Sequence, residues 1–334
     1  MDTLRIKAKL LAIANIELSK SLYEYAEIKS TGNLLRNEWV FLKLNQTSRV
    51  RLTVSNYSNI VLCKNDKNGI FIYDKTDKDI LIDKLEIETP LAHAPEQMFF
   101  SLYRKCIRGC KFCPLTYKNE NKHHSLDDIF GRIKSDGIPK SIGITSSNPP
   151  NLSTRDIADE LCFITSKVRH LLGNSVPIGV SMNSPSYYDL KNLKSAGVNE
   201  VRLNIETPNE DLSKVIMPKK PLTDIYKSIE MACNIFGRGK VSSNIIIGLG
   251  ETDTDIINSV EHLAEMGAVA TLYPYDTISP NVKILDFTRP PETRIYNLAL
   301  IHKEILQKHK LNPLELKTMC CECAASHIFP GKDF

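Results

Sequence analysis

From about residue 96 onward the 334-residue chain alternates short apolar runs with amphipathic stretches of helical length. No other feature constrains the fold as much. A strand buried on both faces is a near-continuous run of branched apolar residues, and its parallel neighbour can be reached only through a crossover. The rhythm therefore implies repeated βα units. Six units can be counted. Strands are predicted at 97–103, 140–145, 177–182, 200–205, 241–247 and 269–275, with helices at 125–135, 153–172, 186–195, 222–236, 253–267 and 291–308. Ser125 ahead of Asp127 and Asp128, and Ser153 ahead of Asp156, set a capping hydroxyl and negative charge at helix N-termini. The expected fold class is α/β, a partial (β/α)6 TIM-type barrel with its missing wall supplied by one end of the chain. In such sheets chemistry gathers at the C-terminal ends of the strands.

Residues 1–95 have a different texture: helix-like material, then short β-branched segments such as Arg49–Val54 and Ile70–Tyr73 between polar turns. They are expected to form a small N-terminal α+β extension, followed by the barrel core at 96–311 and a cysteine-containing tail at 312–334. No catalytic pattern stands out in the extension. With 43 Lys and Arg against 39 Asp and Glu, the net charge of +4 is too small to argue for nucleic acid. No apolar run is long enough to span a bilayer, and the N-terminus lacks a signal-peptide pattern. The expectation is a cytoplasmic protein with neither nucleic acid nor membrane as partner, whose thiols stay reduced.

Nine cysteines are unevenly spread. Cys162 and Cys233 lie on apolar helical faces as small buried hydrophobes, and Cys63 stands alone. Cys106, Cys110 and Cys113 sit on the loop directly after the first predicted strand, at the catalytic end. Three thiolates spaced four and three apart, with Gly109 allowing a tight turn, can converge on three corners of a [4Fe–4S] cube. The fourth iron is then open to a small molecule. The competing reading is a structural zinc site completed by His123 or His124.

The other strand ends carry small or polar groups. Thr145 and Ser146 can hydrogen-bond the polar end of an amino acid. Arg202, Asn204 and Glu206 alternate onto one face of strand four, where a carboxylate and a carboxamide suit a ribose diol. Gly248 and Gly250 follow strand five and allow backbone to lie flat against a planar ligand.

Taken together, Cys106-xxx-Cys110-x-Phe112-Cys113 after a first strand resembles the signature loop of the radical S-adenosylmethionine (SAM) superfamily. The resemblance implies that the methionine end of SAM chelates the open iron, that Phe112 contacts the adenine, and that Thr145 and Ser146 stand where that superfamily binds the methionine amino group. It also implies reductive cleavage of the sulfonium to a 5′-deoxyadenosyl radical that abstracts hydrogen, and an electron donor such as ferredoxin or flavodoxin. Segments 204–207, 214–218 and 248–252 are similar to the lipoyl synthase and biotin synthase branch, which inserts sulfur at unactivated carbons using a second iron–sulfur cluster.

Cys320, Cys321 and Cys323 are candidates for ligating such an auxiliary cluster. The sequence departs from the branch here, because lipoyl synthases carry these cysteines ahead of the radical motif, and only Cys63 lies there. Three functions compete: sulfur insertion in cofactor biosynthesis, on a small-molecule or carrier-protein-bound substrate; radical methylation or rearrangement with a structural second cluster; and a zinc-binding or redox-sensing barrel.

Overall fold

A computed structural model describes residues 2–22, 39–91, 94–116, 124–276 and 287–334. Its larger sheet holds six strands, β7 (Gln97–Ser101), β8 (Ser141–Thr145), β9 (Ile178–Ser181), β10 (Glu200–Arg202), β11 (Val241–Ile247) and β12 (Val269–Pro274), in sequential order. Every neighbouring pair is parallel, with Phe100 opposite Ile144, Ile144 opposite Val180, and Val201 opposite Val241. This is the expected (β/α)6 partial barrel. The crossovers are α2 (Leu126–Asp136), α3 (Thr154–Leu172), α4 (Tyr187–Ser195), α6 (Leu222–Phe236) and α7 (Asp253–Met266), while α8 (Glu292–Lys308) follows β12. Ser125, Ser153, Ser186 and Thr252 each close a reciprocal capping box with an aspartate three residues on. The helix-facing strand residues, including Ile142, Ile144, Val180, Val201, Leu203 and Ile245, form one continuous core with those helices.

Strand four is shorter than predicted, and the reason is local. Asn204 Oδ1 accepts from the Asn244 backbone N–H at 3.2 Å, taking a position the ladder would fill, and pairing resumes only at the bridge between Glu206 and Ile245. Glu206 has φ +62°, a left-handed conformation that is costly for a residue with a side chain. The seven-residue helix α5 (Glu210–Ile216), capped by Asn209, was not anticipated.

The N-terminal segment contains helix α1 (Thr3–Ile13) and strands β1 (Asn15–Leu18), β2 (Trp39–Lys43), β3 (Arg49–Val54), β4 (Ile60–Asn65), β5 (Gly69–Asp74) and β6 (Asp79–Glu88). These close into a barrel of order β1-β3-β2-β6-β5-β4. Four antiparallel pairs make most of it, and four-residue β1 completes it by running parallel to both β3 and β4. Closure removes the exposed edges that a free sheet of this size would carry. Its core also takes in Ile295 and Ala299 of α8 and Ile328 near the C-terminus.

The last residues fill the larger barrel. Glu200, at the start of β10, accepts from the backbone N–H of Lys317 and Thr318 and from Thr318 Oγ1 at 2.7–3.1 Å. Gly179 makes room for Thr318, since a Cβ there would lie 2.0 Å from its Oγ1, and Gly143 sits against Phe99 and the Met319 sulfur. Helix α9 (Met319–Cys323) follows, and Ile328 bridges to Leu272 on β12. Beyond it, Lys7 of α1 and Asp333 form a fully buried ion pair at 2.8 Å that fastens the tail to the N-terminus. The chain's own C-terminal residues thus cover the inner face of the six-stranded sheet, with one bridge to its β12 edge.

Candidate active site

The loop after β7 is held by its neighbours rather than by regular structure. Ile107 N–H donates to the Asn148 carbonyl, Lys111 N–H to that of Ile216, and Ser147 Oγ to that of Lys105, while Arg108 bonds the Lys219 carbonyl. Gly109 turns the chain at φ +67°. The result is a cavity of about 200 Å³ lined by Cys106, Cys110, Phe112 and Cys113 on one side and by Thr145, Ser146, Asn204 and Glu206 on the other. Eight residues singled out in the sequence thus meet around one space at the C-terminal strand ends. Gly248 and Gly250 do not line it. Gly248 instead lies under the Thr288 carbonyl, where a Cβ would come within 2.0 Å, and its N–H and that of Leu249 donate to the buried Glu251 carboxylate at 2.8 Å. Leu249 and Phe112 belong to one apolar cluster, so this turn backs the cavity from behind.

None of the three thiols is in a disulfide, and each is half-buried. Burial pushes the Cys110 thiol up to about 12 and raises that of Cys113, so neither ionises readily without a cationic partner at the sulfur. The nearby Lys220 ammonium and a backbone N–H from Leu115 to Cys113 pull the other way. Among the described residues, the three sulfurs do not all lie within 4.8 Å of one another; the ligand set that does is Glu261, Glu265 and His309 on the surface. A single zinc with bonds of about 2.3 Å would hold its thiolates roughly 3.8 Å apart. At least one pair of sulfurs is therefore farther apart than a single zinc ion would hold it. His124 does not line this cavity: its Nδ1 meets the Ser101 backbone and its ring packs edge-on against Phe100. His123 lies outside the described residues.

The radical SAM superfamily profile matches residues 100–263, the stretch that holds the loop and its strand ends. The chain carries a radical SAM domain. The chain is 28% identical to GTP 3′,8-cyclase of Clostridium botulinum over 164 residues, 47% of this chain and 49% of that protein. Lipoyl synthase of Nitratidesulfovibrio vulgaris is 23% identical over 184 residues, 53% and 59% of the two chains, and biotin synthase of Persephonella marina 25% over 189, 54% and 55%. The chain spans about half the length of the curated relatives it matches. Among solved structures, methylornithine synthase superposes with a TM-score of 0.51 at 18% identity, over 61% of each chain. Streptococcus suis SuiB bound to its precursor peptide superposes with the same score at 16% identity, over 68% of this chain and 48% of that one. These two show the shared fold. The cofactors of the superfamily are a [4Fe–4S] cluster and SAM, and its members draw electrons from a reductant. No helix among the described residues is long and apolar enough to cross a membrane.

Sequence reading missed Lys220. Its ammonium is almost fully buried, donates to the Asn204 carbonyl at 2.8 Å and lies 3.7 Å from Glu206 Oε1, so it sets the charge of the strand-four end of the cavity. A lone lysine before Pro221 gave no signal. Nor did Asn183, which bonds Asn148 across the cavity mouth.

The tail cysteines diverge. Cys320 faces Arg202, whose Nη1 donates to its Sγ at 2.9 Å. Cys321 enters the main core, and Cys323 packs with Phe41, Ala94 and Ala325. At about 100° per residue Cys321 turns away from Cys320 into the core, whereas Cys323, three residues on, lies only about 60° from Cys320 around the helix.

Proposed function

We propose that Cys106, Cys110 and Cys113 hold the [4Fe–4S] cluster of a radical SAM enzyme that abstracts hydrogen from a small molecule at the C-terminal ends of the strands. The observation that carries this reading is the single cavity in which the three thiols face Thr145, Ser146, Asn204 and Glu206. When bound, the cluster supplies the electron that cleaves the sulfonium of SAM. Around it, Thr145 and Ser146 would bind the methionine end through hydroxyls, Asn204 and Glu206 the ribose, and Phe112 the adenine face. Lys220 keeps Glu206 oriented, and the Gly248–Gly250 turn supports Phe112 from behind.

Two product classes stay distinct. Sulfur insertion consumes a second cluster whose ligands meet at one point, whereas methylation, cyclisation or rearrangement consumes none, and a second cluster there would be structural. The divergence of Cys320, Cys321 and Cys323 supports the second class. Anaerobically reconstituted protein, given SAM and dithionite, is expected to form 5′-deoxyadenosine and to carry about four irons per chain; more iron would mean a second cluster, sacrificial or structural. No 5′-deoxyadenosine from brown, iron-loaded protein would sink the reading.

A further inference from the structure

We propose that Cys320 and Cys323 form a reversible dithiol–disulfide pair, in which Cys320 attacks a small disulfide that enters a second cavity and Cys323 resolves the product. The pair uses none of the residues around the Cys106, Cys110 and Cys113 cavity, so it stands apart from the radical chemistry. The second cavity, about 220 Å³, lies where β3, β12 and the tail meet, and Arg51, Tyr273, Cys320 and Ser326 are among the residues lining it. Cys320 is half-buried with this opening beside it, whereas Cys323 is 8% exposed and packs with Phe41, Ala94 and Ala325. A thiol that reagents reach, with a shielded thiol poised next to it, is the arrangement of a redox-responsive pair.

Spacing decides which two sulfurs can join. Three residues apart on a helix, Cα atoms are about 5 Å apart, inside the roughly 4.4–6.8 Å window of a disulfide, and the side chains share a face. Cys320 and Cys321 are too close, at about 3.8 Å, and Cys321 and Cys323 point about 200° apart. Because α9 is a single turn, ended by left-handed residues at Met319 and Ala324, closing the bond distorts that turn alone. Charge then assigns the roles. Arg202 Nη1 donates to Cys320 Sγ at 2.9 Å, and a cation at that distance favours the thiolate, which is the attacking form. Burial raises the Cys320 thiol, but Arg202, Tyr273 and Arg51 outweigh it and bring it below its ordinary value. Burial raises both Cys321 and Cys323, so neither competes for the first step. The Cys320 thiolate displaces one thiolate from the incoming disulfide, and Cys323 then displaces the other from the mixed disulfide. Two protein thiols and one disulfide thus become one protein disulfide and two small thiols.

The test uses anaerobically reconstituted protein and bis(2-hydroxyethyl) disulfide, a small neutral oxidant. Free thiols are trapped with iodoacetamide in denaturant, the rest are reduced and labelled with N-ethylmaleimide, and peptide fragmentation assigns each label. Cys320 and Cys323 are expected to carry N-ethylmaleimide together and Cys321 iodoacetamide, with full reversal by excess 2-mercaptoethanol. Cys323→Ser should stop at a mixed disulfide on Cys320, and Cys320→Ser should leave Cys323 reduced. Arg202→Gln should slow the first step about threefold, since roughly tenfold less thiolate is partly offset by its greater nucleophilicity. Iron measured alongside should hold steady while the pair oxidises. Tail thiols that stay reduced, oxidation at Cys321, a mixed disulfide that persists on wild-type Cys320, or an Arg202→Gln rate equal to wild type would overturn the proposal. So would tail thiols that react only as iron is lost, because they would then be cluster ligands.

Discussion

Replacing Asp333 with Asn should unfasten the tail, and the structure sets the size of the effect. Lys7 Nζ has three partners, the two Asp333 oxygens at 2.8 and 2.9 Å and the Ala324 carbonyl at 2.8 Å, and both side chains of the pair are 0% exposed. Asp333 also accepts from Ser48 Oγ at 2.6 Å and from the Phe329 N–H at 2.7 Å. Removing one partner of a buried pair costs about 3–5 kcal/mol. An independent bound comes from letting Lys7 lose its proton: from an unfolded value near 10.4 down to pH 7, at about 1.4 kcal/mol per unit, the cost is about 5 kcal/mol. The variant cannot lose much more than that through Lys7.

The same argument predicts a pH signature. Burial lowers the Lys7 pKa, and the Asp333 carboxylate is the main force raising it back. Without that carboxylate the native state binds fewer protons at Lys7 than the unfolded state, so stability rises with pH. Between pH 7 and 9, urea midpoints for Asp333→Asn should give a stability that climbs by up to about 1.4 kcal/mol per unit relative to wild type. Subtracting the wild-type curve cancels the unfolded-state titration of the nine cysteines. A loss below about 1 kcal/mol with no added slope would refute the claim that this pair anchors the tail.

Three further outcomes follow. Cys110→Ala should reduce iron after reconstitution to background and abolish 5′-deoxyadenosine while leaving the circular dichroism spectrum unchanged; retained iron would remove Cys110 from the ligand set. Glu206→Gly should weaken SAM binding by about tenfold, read by equilibrium dialysis, yet change stability by no more than about 1 kcal/mol, because glycine relieves the positive φ that Glu206 tolerates. Gly179→Ala should lower stability by about 3 kcal/mol or more in urea unfolding, since its Cβ would sit 2.0 Å from Thr318 Oγ1 and force apart the bonds to buried Glu200; a wild-type midpoint would mean that the tail does not occupy the lumen.

What the sequence disclosed and what it hid follow from the range of the interactions involved. The parallel strands and their helices were readable because apolar period and capping residues are local, as at Ser153 and Asp156. The three candidate cluster cysteines were readable because their spacing falls within one loop. Closure of the N-terminal barrel was not, since β1 must find both β3 and β4 across intervening chain, and four residues carry no register signal. Lys220 was hidden because its meaning lies in a contact with Asn204, 16 residues away. Gly248 and Gly250 were read toward a ligand, when the space beside Gly248 is taken by Thr288, Glu251 bonds the turn, and Gly250 faces Leu212.

The tail connects these points to the outcome of the reaction. Gathering Cys320, Cys321 and Cys323 onto one cluster would require withdrawing Cys321 from the main core and Cys323 from Phe41 and Ala94. Fully burying one such side chain is worth about 1.5–3 kcal/mol for larger hydrophobes and less for cysteine, so those contacts alone would not forbid the movement. The polar anchors at either end would. Thr318 is held by Glu200 on one side of α9, and on the other Ala324, at its C-cap, is held by Lys7, itself paired with Asp333. With both ends fixed, the helix cannot rotate, and Cys320 alone of the three lines the cavity beside Arg202. Cys320 is held there by the Arg202 guanidinium while Cys321 stays in the main core. The iron count is therefore the direct test of this geometry: about four irons per chain if α9 stays anchored, more if it yields.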